Sequence, residues 1–245
     1  MIGIIGYGMV GKAVEYGFPN VEKIISDPEY NTVTIEQICL TKPEAIFVCV
    51  PTPTDDSNYK ILKDVLDELK ELYDGLVIVK STILPHHLED YDVVYNPEFL
   101  SRKTSLNDFV KPPMLIFGGE IQNVSKAFSI YRKYSIVNTE KLFYTDIKTA
   151  SFVKYVMNTF YATKVTFMNA MYDVANEMGV DYTEAVSILK EHPWIGNQHL
   201  QVPGPDGARG YGGPCLPKDT EALIKEFDVE LLHKIVQLNN SYRGK

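Results

Sequence analysis

A glycine-rich turn near the amino terminus constrains the fold more than any other feature of this sequence. An apolar run over residues 1–5 predicts a buried strand, a short helix is predicted over residues 12–17, and a second apolar run covers residues 21–26. Glycines between a strand and a helix allow a tight turn, close approach of a pyrophosphate and helix–strand packing. This order of elements predicts a dinucleotide-binding fold. The turn consists of Gly6, Tyr7, Gly8, Met9, Val10 and Gly11.

An acidic residue follows the second strand, at the position that recognises a ribose. Asp27 lies about 20 residues after Gly8, where a carboxylate typically binds the ribose 2′-hydroxyl of a dinucleotide. An acid at this position repels a 2′-phosphate, so the sequence predicts NAD rather than NADP as the cofactor. The alternative is a glycine-rich surface turn that binds nothing.

Alternating strand and helix patterns extend this fold to about residue 146. Two continuous apolar runs, over residues 45–50 and 76–80, are typical of strands buried on both faces of a parallel sheet. An irregular stretch is predicted after Leu100, up to Pro113. Further strands are predicted at 92–95, 114–117 and 142–144, and helices at 34–40, 60–73 and 120–134.

Polar or turn residues follow several of these strands. The carboxyl ends of the strands are where open α/β sheets bind ligands. Pro51, Thr52, Pro53 and Thr54 predict a rigid turn there, and a polar loop is predicted at 55–59. Ser81 and Thr82 come after the next strand, and Glu98 after the one that follows.

The second half of the chain predicts a smaller domain made of helices alone. Residues 146–179 are the longest helix candidate, with apolar residues around much of the circumference. Lys154 and Asn158 are four residues apart and share one face. A lysine in such a segment needs a partner or a ligand, so we interpret this pair as a cation and an amide that face a substrate oxygen. The alternative is a lysine that reaches solvent beside a surface asparagine.

One cysteine stands in a context suited to nucleophilic chemistry. Cys215 follows a glycine-rich loop and precedes Pro217, a favourable residue for the first turn of a helix. The helix N-terminus and Lys218 both favour the thiolate, which is the reactive form. Asp219 is placed to orient or activate a water. We interpret Cys215 as a nucleophile, with a small buried cysteine in an ordinary turn as the alternative.

These patterns predict an α/β protein with a Rossmann-type doubly wound parallel sheet, followed by the helical domain. We place the dinucleotide-binding domain at residues 1–146 and the helical domain at residues 147–245. Additional helices are predicted at 181–191, 217–227 and 229–242, with a loop at 192–209.

Composition argues against several classes of protein. A net charge of −8 with scattered lysines and arginines argues against a nucleic-acid partner. No apolar run approaches the roughly 20 residues of a membrane span. Three cysteines, an odd number, in a sequence that opens with a strand predict a reducing cytoplasm. The five histidines lack metal-ligand spacing, so no metal site is predicted.

Taken in order, the motifs resemble the UDP-glucose/GDP-mannose dehydrogenase family, most closely its UDP-glucose 6-dehydrogenases. The resemblance spans nearly the whole chain, and the cysteine motif is its most specific part. The motifs are Gly6-x-Gly8-x-x-Gly11, Val50-Pro51-Thr52-Pro53, Ser81-Thr82, Asn96-Pro97-Glu98-Phe99-Leu100, Lys154-x-x-x-Asn158 and Gly210-Tyr211-Gly212-Gly213-Pro214-Cys215-Leu216-Pro217-Lys218-Asp219.

This resemblance implies the two-fold oxidation of a sugar-nucleotide alcohol, expected to be UDP-glucose, to a carboxylate, with NAD as the cofactor. It implies that Cys215 forms a thiohemiacetal and then a thioester, while Lys154 and Asn158 stabilise the oxyanion. The water and proton network is assigned to Asp219, Thr82 and Glu98. The resemblance assigns sugar binding to Phe99, Leu100, Gly210, Tyr211 and Gly212. It assigns cofactor binding to the glycine turn, Asp27, Pro51, Thr52, Pro53, Ser81, Thr82 and Lys218.

The sequence departs from the family pattern in three respects. Family members continue into a third α/β domain that holds much of the nucleotide, and we expect this chain to lack it or to receive it from a separate chain. Arg102 replaces an acid that many members carry, and Trp194 replaces an arginine that reaches the partner subunit in some. Two apolar stripes on the last helix predict a homodimer through the helical domain, or a further domain that covers them.

Two other functions stay open at this point. The first is an NAD-binding remnant or interaction module without catalytic activity. The second is a β-hydroxyacid dehydrogenase, a class that shares the dinucleotide domain and the Lys-x-x-x-Asn helix but needs no thiol.

Overall fold

A computed structural model of the chain describes residues 1–53 and 59–244. Thr54 of the predicted turn and residues 55–58 of the predicted polar loop lie outside the described residues. The chain divides into two compact units, Met1–Lys154 and Tyr155–Lys245. The division falls within one long helix, Ile147–Met178.

The first unit is organised around a single sheet. The strands described in it are β1 (Ile2–Ile5), β2 (Lys23–Ser26), β3 (Ala45–Val48), β4 (Leu76–Val79), β5 (Val93–Tyr95), β6 (Leu115–Gly118) and β7 (Leu142–Thr145). Their order in the sheet is β2-β1-β3-β4-β5-β6-β7. Neighbours are parallel except β5 and β6, which are antiparallel. The prediction of a Rossmann-type doubly wound sheet is confirmed, with this one antiparallel pair.

Helices cover this sheet because its strands are apolar on both faces. One buried cluster includes Ile46 and Val79, and a second includes Phe47 and Ile78, so neighbouring residues of one strand supply opposite faces. The helices are α1 (Met9–Gly17), α2 (Ile35–Leu40), α3 (Lys60–Leu72), α4 (Ser105–Val110) and α5 (Ile121–Tyr134), with a 3-10 turn at Pro85–Leu88.

The prediction of an irregular stretch up to Pro113 was wrong, since α4 lies within it. Phe109 anchors this short helix: it is buried and packs against Phe18 and the backbone of Gly17. A six-residue helix has less than two full turns, which is too short for its apolar periodicity to stand out in a sequence.

Helices make up the regular structure of the second unit in its described residues. They are the greater part of α6 (Ile147–Met178), which begins in the first unit, together with α7 (Tyr182–Leu189), α8 (Leu216–Phe227) and α9 (Glu230–Arg243). The predicted helical character of this half of the chain is confirmed. Asp181 begins α7 by accepting the backbone N–H groups of Thr183 and Glu184.

Several apolar side chains of α6 lie on the surface of the chain instead of in its core. Residues 160, 167, 174 and 178 recur at helical spacing along one face. They are Phe160, Phe167, Val174 and Met178, with 60, 58, 42 and 71% of their surface exposed. The sequence indicated a helix covered on most sides, whereas this face is uncovered in a single chain.

Within the described ranges, every helix is too short or too polar to cross a lipid bilayer. The same residues contain no group of three or more histidine, cysteine or acidic side chains placed to hold a metal ion.

Candidate active-site residues

The glycine turn forms a cradle that only glycine can build at two of its positions. Gly6 has a φ of +88°, and a Cβ added there would lie 2.7 Å from the carbonyl oxygen of Cys49. A Cβ at Gly11 would lie 2.0 Å from the carbonyl oxygen of Gly6. At Gly8 nothing lies within 4 Å of an added Cβ, so the space in front of α1 is open. A pyrophosphate fits this cradle because its charge is stabilised at a helix N-terminus.

Asp27 lies beside this cradle at the end of β2. One carboxylate oxygen accepts the backbone N–H of Tyr7 at 2.5 Å, and the other accepts that of Glu29 at 2.8 Å. The side chain is partly exposed, so it retains acceptor capacity for a ribose hydroxyl. The ring of Tyr7 packs against Tyr30 at 4.3 Å. A hydrogen bond from the Tyr7 hydroxyl to Glu15 raises the pKa of this phenol to about 12.

The predicted ligand edge of the sheet is held together by hydroxyl groups. Ser81 Oγ donates to the carbonyl of Val50 at 2.6 Å, and Thr52 Oγ1 donates to the carbonyl of Thr82 at 2.9 Å. These two bonds tie the segment after β3, which includes Pro51 and Pro53, to the segment after β4. The residues predicted to face the cofactor at this edge are therefore neighbours.

Lys154 is a buried cation whose partner is Glu98. Its Nζ lies 2.6 Å from the Glu98 carbonyl oxygen and 3.2 Å from Oε1, and only 3% of the residue is exposed. The backbone N–H of Leu100 donates to Glu98 Oε2 at 2.5 Å, and the Phe99 ring lies 5.4 Å from the ammonium. The lysine does not reach solvent. It contacts Glu98 and Phe99, two residues that the family resemblance assigned to the proton network and to the sugar.

A second buried lysine in this unit escaped the sequence reasoning. Lys80 follows β4 and is 2% exposed, and its amine donates to Asn96 Oδ1 at 2.6 Å. Tyr131 OH donates to the same oxygen at 2.6 Å. The available signal was a lysine placed directly after a strand buried on both faces, next to Ser81.

In the second unit, Cys215 occupies the N-cap position of α8. Its thiol is half-buried and forms no disulfide, and Pro217 stands in the first turn of the helix. Gly210 and Gly213, with φ values of +71° and +78°, let the preceding loop turn sharply. The thiol thus lies where the partial positive charge of the helix favours an anion.

A buried carboxylate lies one turn beyond this thiol. Asp219 is 1% exposed and accepts hydrogen bonds from Asn158 Nδ2 and from Lys218 Nζ, both at 2.5 Å. Its backbone N–H donates to the carbonyl of Cys215 at 2.9 Å. Asn158 and Asp219 are 61 residues apart in sequence, so the fold brings together two predicted catalytic groups. Lys218, which the resemblance assigns to the cofactor, forms an ion pair with Asp219.

The loop before Cys215 is held by side chains that the sequence reasoning did not single out. The backbone N–H of Gly210 donates to Asn169 Oδ1 at 3.1 Å. Asn239 binds Tyr211 twice, accepting its N–H at 2.7 Å and donating to its carbonyl at 3.1 Å. Arg243 Nε donates to the same carbonyl at 3.0 Å. Asparagines within helices α6 and α9 carry no local signal for such a role.

The predicted site residues thus form two sets, one in each unit. In the first unit the glycine turn lies beside Asp27, the hydroxyl groups join the strand ends, and Glu98 binds Lys154. In the second unit Asp219 joins Asn158 to Lys218, next to Cys215. The catalytic, cofactor and substrate roles of these residues stay predictions.

Comparison with known protein families places both halves of the chain in one family. Residues 19–135 match the NAD binding domain of the UDP-glucose/GDP-mannose dehydrogenase family. Residues 148–241 match the central domain of the same family. The cofactor of the first unit is therefore NAD.

Individual relatives agree with this assignment. A UDP-glucose 6-dehydrogenase of Bacillus subtilis strain 168 is 27% identical over 92% of this chain and 56% of its own length. A GDP-mannose 6-dehydrogenase of Pseudomonas savastanoi pv. phaseolicola is 32% identical over 79% of this chain and 50% of its own length.

A solved structure shows the same fold. It is a UDP-glucose dehydrogenase from the archaeon Pyrobaculum islandicum, with a TM-score of 0.83 and 22% identity over 98% of this chain and 68% of the other. The chain spans about half the length of the curated relatives it matches. With both domain matches in the expected order, the chain belongs to the UDP-glucose/GDP-mannose dehydrogenase family.

Proposed function

We propose that this protein oxidises the C6 alcohol of a nucleotide sugar to the uronic acid. UDP-glucose is the substrate that we propose. The observation that carries the proposal is the buried hydrogen bond between Asn158 and Asp219. Asp219 lies one helical turn after Cys215. An amide and a carboxylate beside a thiol are the groups that thioester chemistry requires, since the oxyanion must be stabilised and a water must be oriented.

In this proposal Cys215 supplies the nucleophile. The C6 alcohol first loses its hydroxyl proton and a hydride to give the aldehyde. The Cys215 thiolate then adds to the aldehyde carbon and forms a C–S bond, while the C=O π bond breaks and its oxygen becomes the oxyanion of a thiohemiacetal. Loss of hydride from that carbon gives a thioester, and water then cleaves the C–S bond to release the carboxylate and restore the thiol. NAD, when bound, accepts the hydride in each of the two oxidations.

The buried polar groups take the remaining roles. Lys154 and Asn158 stabilise the oxyanion, the lysine by its charge and the asparagine by its amide N–H. Asp219 orients the water, and its carboxylate also holds the Asn158 amide in place. Glu98 and Thr82 accept and pass protons in the first oxidation and in the hydrolysis. The Lys154–Glu98 ion pair supports this assignment because it keeps an acid and a cation together in a buried site.

The substrate is assigned by its two parts. Phe99, Leu100 and the backbone of residues 210–212 bind the sugar, and relatives named for UDP-glucose and for GDP-mannose indicate a nucleoside diphosphate beyond it. The cofactor cradle is the glycine turn with Asp27, Pro51, Thr52, Pro53 and Ser81. The family resemblance adds Lys218 to the cofactor-binding residues.

We further propose a homodimer through the helical domain. The uncovered face of α6, with Phe160, Phe167 and Met178, supports it because monomers rarely expose a contiguous apolar stripe.

Two further points remain predictions. They are the domain boundary between residues 146 and 147, and the location of the protein in a reducing cytoplasm.

Turnover with and without the thiol tests the proposed reaction. The protein is incubated with NAD⁺ and a panel of UDP- and GDP-sugars, and NADH formation and the uronic acid are measured. We expect two NADH per sugar, and a loss of at least about 10³-fold in Cys215→Ala, as is typical when a covalent nucleophile is removed. Cys39→Ala, which removes the buried thiol of α2, is the control and keeps the activity.

Each contrary outcome points to one of the other functions. NAD⁺ binding without turnover of any sugar nucleotide, together with an unreactive Cys215 thiol, indicates a non-catalytic module. Turnover that survives Cys215→Ser indicates a dehydrogenase of the β-hydroxyacid type, which needs no thiol.

A further inference from the structure

Lys80 is a buried cation for which the proposed reaction has no role. Its amine lies 2.6 Å from Asn96 Oδ1, 3.4 Å from the Tyr131 hydroxyl oxygen and 5.4 Å from the centre of the Phe109 ring. Burying a charged amine so completely is unfavourable unless the surrounding groups compensate for the lost water. An amine in this position therefore needs an explanation.

Several hydrogen bonds converge on Asn96, the residue that accepts from Lys80. Its side-chain oxygen accepts from Lys80 and Tyr131, its Nδ2 donates to the carbonyl of Ile116 at 2.6 Å, and its backbone N–H donates to Val79 at 2.8 Å. Burial raises the pKa of the Tyr131 phenol well above its ordinary value, so this hydroxyl remains a donor. Asn96 is thus held through its side-chain oxygen, its side-chain nitrogen and its backbone N–H.

A second observation is the position of Asn96 in the chain. Only Pro97, whose ring restricts the backbone, separates it from Glu98. Glu98 in turn accepts the ammonium of Lys154 on both its backbone and its side-chain oxygen. One small cavity is lined by Lys80 together with Glu98, Phe99 and Leu100, so Lys80 and this segment border the same space.

A third observation is the charge around Lys80. The ionisable groups around Lys80 are Cys49 after β3, Glu98 after β5, Tyr131 on α5 and Lys154 on α6, with Asp108 of α4 across the cavity. Burial lowers the pKa of Lys80 to about 8, against an opposing effect of Glu98. Burial also raises the pKa of Cys49 to about 12, so that thiol is neutral near pH 7.

We propose that Lys80 is a positioning residue, whose buried ammonium holds the segment 96–98 in the conformation in which Glu98 binds Lys154. The proposal rests on the proposed function only for the importance of Glu98 and Lys154 in the reaction. The position of the segment itself is measured without turnover.

Amide hydrogen exchange of the whole protein is the first test. Lys80→Met keeps the apolar stem and removes the charge, while Tyr131→Phe removes a neutral hydrogen bond to the same Asn96 oxygen. We expect exchange of the Asn96 and Leu100 amides to become about tenfold faster or more in Lys80→Met and about threefold faster in Tyr131→Phe, because a charged hydrogen bond is the stronger of the two. Equal rates in wild type and Lys80→Met would overturn the proposal.

The pH dependence of stability separates the charge from simple packing. The folded pKa of Lys80 lies below its unfolded value of 10.5, so the unfolded chain binds more protons between about pH 8 and 10.5. Stability of the wild type relative to Lys80→Met should therefore rise over that window in urea titrations. Relative to Tyr131→Phe it should stay flat up to about pH 10, where phenols begin to ionise. Parallel wild-type and Lys80→Met profiles contradict a buried ammonium.

Turnover distinguishes this proposal from the proposed function. If sugar oxidation is observed, Lys80→Met should lower kcat about tenfold while the KM for NAD⁺ changes little, because the contacts described for the Lys80 amine are with Asn96, Tyr131 and Phe109 and not with the side chains of the cofactor cradle. An unchanged kcat would refute the positioning role and leave the oxidation intact. If no sugar is oxidised, the exchange and stability measurements still decide the role of Lys80.

Discussion

The two glycine-containing loops of this protein are built on opposite principles. In the first, residues 6–11, two glycines are packed against backbone: Gly6 against the carbonyl of Cys49, and Gly11 against that of Gly6. In the second, residues 204–213, two glycines are packed against side chains. A Cβ at Gly210 would lie 2.5 Å from Asn239 Oδ1, and one at Gly212 would lie 1.6 Å from Arg243 Nη2.

This difference determines how each loop tolerates change and how visible it is in a sequence. Backbone neighbours are present whatever the residue type and cannot move away, so the first loop shows a fixed glycine spacing. Side-chain neighbours come from helices far along the chain and can rotate. The second loop therefore depends on residues that no local pattern reveals.

The largest effect is expected where backbone meets backbone. A Cβ at Gly11 would lie 2.0 Å from a carbonyl oxygen that cannot move without distorting the turn. We expect Gly11→Ala to lower the free energy of unfolding by about 3 kcal/mol or more, the upper range for overpacking, in urea titrations.

Gly8→Ala is the matched control in the same loop. Its Cβ meets nothing within 4 Å, so stability should change by less than about 0.5 kcal/mol. NAD⁺ affinity should nonetheless fall, because the methyl group fills the space kept for the pyrophosphate. If Gly11→Ala cost as little stability as Gly8→Ala, the backbone of the first loop would have moved to accommodate the methyl group.

A smaller effect is expected from removing the main support of the second loop. Asn239 is buried and satisfies both polar groups of the Tyr211 backbone. Asn239→Ala leaves a buried N–H without its acceptor and should cost about 2 kcal/mol, measured by urea unfolding.

Asn240→Ala is the control for this change, because the neighbouring asparagine is exposed. It should have little effect on stability. If both variants were equally stable, the second loop would owe its order to something other than the α9 side chains.

The smallest effect is expected at Gly212. An added methyl group there displaces the end of a flexible arginine and disturbs the Arg243–Asp206 ion pair, which is partly exposed. We expect Gly212→Ala to cost about 1 kcal/mol, the upper range for such a pair.

A double-mutant cycle sharpens this prediction. With Arg243→Ala already in place, Gly212→Ala should carry almost no further cost, because the clashing group is gone. Additive costs would place the strain at Gly212 in the backbone, as at Gly11.

Predictions from the sequence were confirmed where residue type and short spacing decide the structure. They failed where contacts between distant side chains decide it. The Rossmann-type sheet was predictable because buried parallel strands are continuous apolar runs. The short helix α4 was not, because the contact that stabilises it, Phe109 against Phe18 and Gly17, spans about 90 residues of chain. Lys80 and Asn239 were missed for the same reason, since their partners lie on other elements.

By itself, the sequence determined the order of the strands and of the helices other than α4, the backbone shape of the first glycine turn and the presence of one cysteine at a helix start. These depend on residue type and short spacing, which act locally. Only the tertiary structure decided that Glu98 binds Lys154 and that Asp219 holds Asn158. Partners of buried polar groups are chosen by which elements pack together, and a linear pattern does not contain that information.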